Sequence, residues 1–113
     1  MITLEALQKF GADTGKGLAV CMGNEALYLR LVDSVPSEKK FDDLSSAIEV
    51  GNLDAAFEAA HALKGVLGNL SLTPLFEKTS EITELLRSRT NADYKGLVAE
   101  LMRERDALAA LRD

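Results

Sequence analysis

The 113-residue chain has no tryptophan, two prolines, one cysteine and one histidine. Each scarcity excludes something. A lone Cys21 closes no internal disulfide and suits a reducing compartment, so the cytoplasm is the expected location. It reads as a small core residue rather than a redox centre. One histidine and one cysteine far apart make no metal ligand set. No glycine-rich nucleotide loop, Cys-x-x-Cys pair or nucleophile elbow is present, which leaves a hydrolase or kinase without its usual parts. The opening residues, Met1-Ile2-Thr3-Leu4-Glu5, lack the basic and apolar regions of a signal peptide. No run approaches the roughly 18 apolar residues of a membrane span, so membrane insertion is not expected. Basic charge is also short: 13 Lys and Arg against 18 Asp and Glu leave a net charge of −5, the wrong sign for a nucleic-acid partner.

What remains favours helices. Aromatic residues make up 5% of the chain, and Leu, Ala, Glu and Lys are abundant; these lose little rotamer freedom in a helix. With 47% hydrophobic and 27% charged residues, the chain lies well away from the disordered regime. Its length suits one compact domain spanning 1–113, expected as a monomer. Its start at Met1 and its own helical lead-in suggest an independent protein rather than an excised part.

Caps and stops divide the chain into helical segments. A short piece over 3–10 ends at Gly11, and a second over 13–19 is weakened by Gly15 and Gly17. Asn24 caps 25–35, which Pro36 stops, and Ser37 is the expected cap of the next segment. That segment carries Phe41, Leu44, Ala47 and Ile48 at helical spacing before Gly51, with Asn52 capping a helix over 53–70. Thr73-Pro74 reads as an N-cap followed by proline, starting a helix to 89 with Leu75, Ile82, Leu85 and Leu86 as its stripe. A last helix over 94–111 places Leu97, Leu101, Leu108 and Leu111 near heptad spacing. Short connections imply antiparallel neighbours, so the expected architecture is all-α: an antiparallel four-helix bundle with one or two short N-terminal helices.

Chemistry is concentrated on 53–70. At ~100° per residue, Ala56, Ala60, Leu63, Leu67 and Leu70 share one face, and His61 projects ~140° from its centre. The histidine is thus expected in solvent, on the side of Asp54, Glu58, Gly65 and Gly68. Mid-helix glycines cost on the order of 1 kcal/mol each against Ala. Helical side chains lean toward the N-terminus, so a side chain at 65 would lie over the turn carrying His61, and Gly65 leaves that space empty. Gly68 is expected to extend the opening. Lys64, one turn from His61, is placed to offset the charge of a phosphoryl group. An exposed nucleophile, in-line access and nearby positive charge are what phosphoryl transfer asks of a protein. The plainer alternative is a chance surface histidine with glycines that serve close packing. Asp54 and Glu58 read as solvated surface, with orientation of a partner as the functional alternative.

His61-Ala62-Leu63-Lys64-Gly65 resembles the His-x-x-Lys-Gly signature of histidine phosphotransfer (HPt) domains, carriers in multistep phosphorelays. The stretch from Phe41 through Gly51-Asn52-Leu53 to Ala60 is similar to the family's approach to the phosphorylated helix. Asn69-Leu70 and Leu72-Thr73-Pro74-Leu75 are similar to its exit. The resemblance implies a carrier, not an enzyme. His61 would exchange phosphoryl with a response-regulator receiver domain or a sensor histidine kinase, with no intrinsic cofactor and with Mg²⁺ supplied by the receiver. From their places around His61, Phe57, Glu58, Gly68 and Thr83 are expected to meet the partner. Val66 and Leu67 replace the small residues usual after the glycine, and Ser71 stands where a second glycine is common. Thr83 occupies the position of a glutamine that orients the histidine in several members. The competing reading within the same fold is an adaptor that binds signalling partners without accepting phosphate.

Overall fold

The computed structural model describes residues 1–112. Helix α1 (Leu4–Phe10) opens where the Thr3 hydroxyl accepts from the Ala6 amide, and it closes at Gly11, whose φ of 111° a side chain would strain. Helix α2 (Thr14–Val20) is capped by Asp13, and α3 (Glu25–Ser34) by Asn24, which accepts from the Leu27 amide. Pro36 does not simply end α3. It sits in a 3₁₀ turn, Val35–Ser37, which absorbs Ser37 and passes the cap of α4 (Lys39–Glu49) to Glu38.

Helix α5 (Leu53–Asn69) begins as expected at Asn52, whose side chain accepts from the Ala55 amide. Thr73 is not an N-cap: it is already the first residue of α6 (Thr73–Arg87), and Leu72 holds the cap position. Helix α6 stops at Arg87 rather than 89 because Arg89 has turned to a left-handed φ of 54°. Asp93 accepts from the Gly96 amide to start α7 (Tyr94–Ala109).

Among the described residues the chain is all-helical. Helix α5 packs against α4 and α6, and α7 closes the ring by packing against both of them. Three helices, α1 to α3, precede this ring, rather than the one or two expected. Inside it lie Phe41 and Leu44 of α4, Ala56, Leu63 and Leu67 of α5, Leu75, Ile82 and Leu86 of α6, and Leu101 and Leu108 of α7. Leu97 and Leu111, expected in the seam, are only half-buried; Val98, one turn before Leu101, takes the inward position.

The N-terminal helices secure the far end of α5. Two long-range bonds hold the carbonyls just past its last residue, Asn69. The buried Tyr28 hydroxyl of α3 donates to the Leu70 carbonyl at 2.8 Å. The Asp13 amide donates to the Ser71 carbonyl at 2.9 Å. Burial pushes the Tyr28 phenol above its ordinary 10.0, aided by the charges of Cys21 and Asp13, so it stays a neutral donor. Gly17 makes room for this ring: a Cβ there would stand 2.3 Å from Tyr28 Cε1.

Candidate functional site

Helix α5 divides into a packed face and a bare one. Ala56, Ala60, Leu63 and Leu67 are fully buried, and His61, near the middle of the 17-residue helix, is exposed. Neither of its ring nitrogens is engaged in a hydrogen bond with another described residue. The imidazole meets Phe57, one turn earlier, in a near-parallel stack with centroids 5.8 Å apart and planes 16° from each other. Phe57 is half-buried and lies under the Arg87 guanidinium of α6, whose carbon is 5.0 Å from the ring centroid. Arg87 Nε in turn donates to Glu84 Oε2 at 3.3 Å. A single row of contacts therefore runs from α6 to the histidine.

On the other side of His61 the two glycines differ. Nothing lies within 4 Å of where a Cβ at Gly65 would stand, so this position is open. Gly68 lines the opening too, but it also serves packing. Its added Cβ would stand 3.0 Å from Phe76 Cε1 and 3.2 Å from Cδ1, so its bareness lets α6 approach. His61, Lys64, Gly65, Gly68, Asn69 and Phe76 together line a shallow depression. Lys64 is half-buried there and forms no ion pair with any described residue. Glu58 is exposed and lies with Phe57, Arg87 and Arg89 in a second depression, toward the start of α5. Asp54, in that depression too, is paired with Arg89.

Thr83 requires correction. It is fully buried, and its hydroxyl donates to the Thr79 carbonyl at 2.7 Å, so it can neither orient the ring nor meet a partner. Thr79 does the same one turn earlier, donating to the Leu75 carbonyl at 2.8 Å. Both threonines satisfy themselves on their own helix, as a buried hydroxyl must when no other acceptor is near.

Sequence reasoning missed Arg87, Asn69 and Phe76. Arg87 and Phe76 depend on how α5 and α6 slide against each other, which no local pattern specifies; Asn69 is on α5 itself, about two turns past His61, where helical spacing could have found it. Among the described residues no three His, Cys, Asp or Glu side chains gather into a cation site, and the depression beside His61 is lined by no carboxylate.

An all-helical scaffold that offers solvent one unpaired imidazole, with an ammonium nearby and open backbone beyond, defines a protein equipped to accept a group at that ring. The Hpt domain family model matches residues 35–113, more than two thirds of the chain, and the chain belongs to that family. Helices α1 to α3 lie before the matched region. No curated protein and no solved structure matches the chain. Family membership implies histidine phosphotransfer in two-component signalling, in which such modules carry phosphoryl and interact with receiver domains and kinases.

Proposed function

We propose that this chain carries a phosphoryl group on His61 between a sensor histidine kinase and response-regulator receiver domains, with 1–113 acting as one monomeric unit in the cytoplasm. The observation that carries the reading is the uncovered ring: His61 exposed, free of hydrogen bonds to described residues, beside the empty space over Gly65. Connections as short as 50–52 and 70–72 support an antiparallel reading of the α4 to α7 ring.

In the forward step the unprotonated ring nitrogen attacks the phosphorus of a receiver's aspartyl phosphate. The nitrogen–phosphorus bond forms as the acyl oxygen–phosphorus bond breaks, and the aspartate departs as carboxylate. The proton on the other ring nitrogen is then free to leave to solvent. Lys64 offsets charge on the transferred oxygens, while Gly65 admits the partner's surface. In this reading the receiver supplies the Mg²⁺ that assists the acyl phosphate, and the kinase supplies the nucleotide site.

Incubation with a phosphorylated receiver tests this. Acid-labile phosphate should form on the wild type and be absent from a folded His61→Gln variant. Failure of every receiver encoded beside this chain to label it would replace the carrier with a phosphate-free adaptor.

A further inference from the structure

The geometry points to Phe57 as a positioning residue that holds the His61 imidazole for attack, with Arg87 and Glu84 of α6 behind it. This rests on the carrier reading and adds how the ring is aimed. An exposed side chain exchanges rotamers in picoseconds to nanoseconds, and the outer torsion of histidine is broad. In-line transfer uses only orientations that send a nitrogen lone pair outward. Something must favour those orientations, and Thr83 does not, because its hydroxyl is committed to the Thr79 carbonyl.

Phe57 is placed to do so. Its 5.8 Å, 16° stack lies within the offset range in which aromatic pairs attract. The lone pairs of an imidazole lie in the ring plane, so a stacked neighbour covers a face and leaves the attacking edge clear. Phe57 is itself restrained: Arg87 stands 5.0 Å over its ring, within cation–π reach, and Glu84 holds Arg87 at 3.3 Å. The ring is thus braced from the N-terminal side while Gly65 leaves the C-terminal side open.

Potassium phosphoramidate tests the inference without a docking partner. Nitrogen of His61 attacks its phosphorus, the phosphorus–amine bond breaks, and ammonia leaves with a proton. Phe57→Leu should slow labelling about three- to tenfold, the size expected from loss of one aromatic contact, in a variant that keeps the wild-type helix content. The chain has one histidine, so its imidazole proton resonances are readily assigned, and they should lose their ring-current displacement in the same variant. Phe57→Tyr, which keeps the stack, should restore both rate and shifts. Labelling of Phe57→Leu at the wild-type rate, unmoved imidazole resonances, or no rescue by Tyr would each overturn the inference. Failure of the carrier reading looks different: the wild type itself takes phosphoryl neither from phosphoramidate nor from a receiver, and the inference falls with it.

Discussion

Gly65 offers the sharpest separation of stability from function, because the residue with most to gain in helix formation stands where a side chain has most to obstruct. An added Cβ meets nothing within 4 Å, so Gly65→Ala loses no packing and gains the full helix preference, ~1 kcal/mol. For a domain of this size that gain raises the melting temperature by roughly 4 °C, readable by circular dichroism at 222 nm. Leucine is nearly as good a helix former as alanine, so Gly65→Leu should melt at almost the same raised temperature. Transfer should part the two variants. A methyl at 65 stays clear of the ring, and Gly65→Ala should accept phosphoryl from a receiver within about threefold of wild type, whereas a leucine leaning over the preceding turn should slow it by about 100-fold or more. Wild-type transfer by Gly65→Leu would refute the access argument, and a melting temperature lowered in Gly65→Ala would refute the open space.

Gly68→Ala should fail to gain the stability that Gly65→Ala gains, because its methyl presses on Phe76 at 3.0 Å; a matching rise in melting temperature would show that Phe76 yields freely. Lys64→Gln should slow transfer only about two- to fivefold, as expected of a water-screened ammonium, with Lys64→Arg near wild type; a loss of several orders of magnitude would make Lys64 a far stronger participant. Tyr28→Phe strips the Leu70 carbonyl of its donor and should cost about 1–2 kcal/mol in urea unfolding, with labelling of His61 unchanged. Lys78 Nζ donates to Glu100 Oε2 at 2.6 Å and joins α6 to α7. Its hydrogen bond and charge hold the Glu100 carboxyl below its ordinary 4.5, and the hydrogen bonds it donates to Glu100 and Glu81 lift Lys78 above 10.5. The pair therefore stabilises at neutral pH, is lost as pH falls through the lowered carboxyl value, and is lost again as pH rises through the raised lysine value. The melting-temperature gap between wild type and Glu100→Gln should be widest near neutrality, narrow as pH falls below 4.5 and vanish once the lowered carboxyl value is passed.

The features legible in the sequence are those written within one or two turns of chain. Asn24 and Asn52 cap the helices they precede because an Asx side chain reaches an amide three residues on, wherever the rest of the protein lies. The buried stripe of α5 and the exposure of His61 follow from a rotation of ~100° per residue. Ser37 misled because a proline two residues after a helix can start a 3₁₀ turn as well as end the helix, and that turn took the serine. Thr83 misled for a different reason, which also hid the packing role of Gly68. Each role depends on which α6 residue faces which α5 residue: Phe76 meets Gly68, and Arg87 meets Phe57. That register is set by packing across the pair, and nothing local to residue 68 or 83 encodes it.

The weakness of every contact around His61 is itself consistent with carriage. A carrier must release what it accepts, so a group that bound the phosphorylated ring tightly would stabilise the intermediate and raise the barrier to passing it on. A buried, fully paired cation would act in that way, because charge attraction grows as water is excluded. What surrounds His61 is one aromatic stack, one half-buried ammonium and a glycine that contributes only absence. The strong interactions are elsewhere: the apolar core on the opposite face of α5, and the Tyr28 hydroxyl bonded to the helix end more than two turns away. Stability and reactivity therefore occupy different faces of one helix, and the face that bears His61 holds only weak contacts.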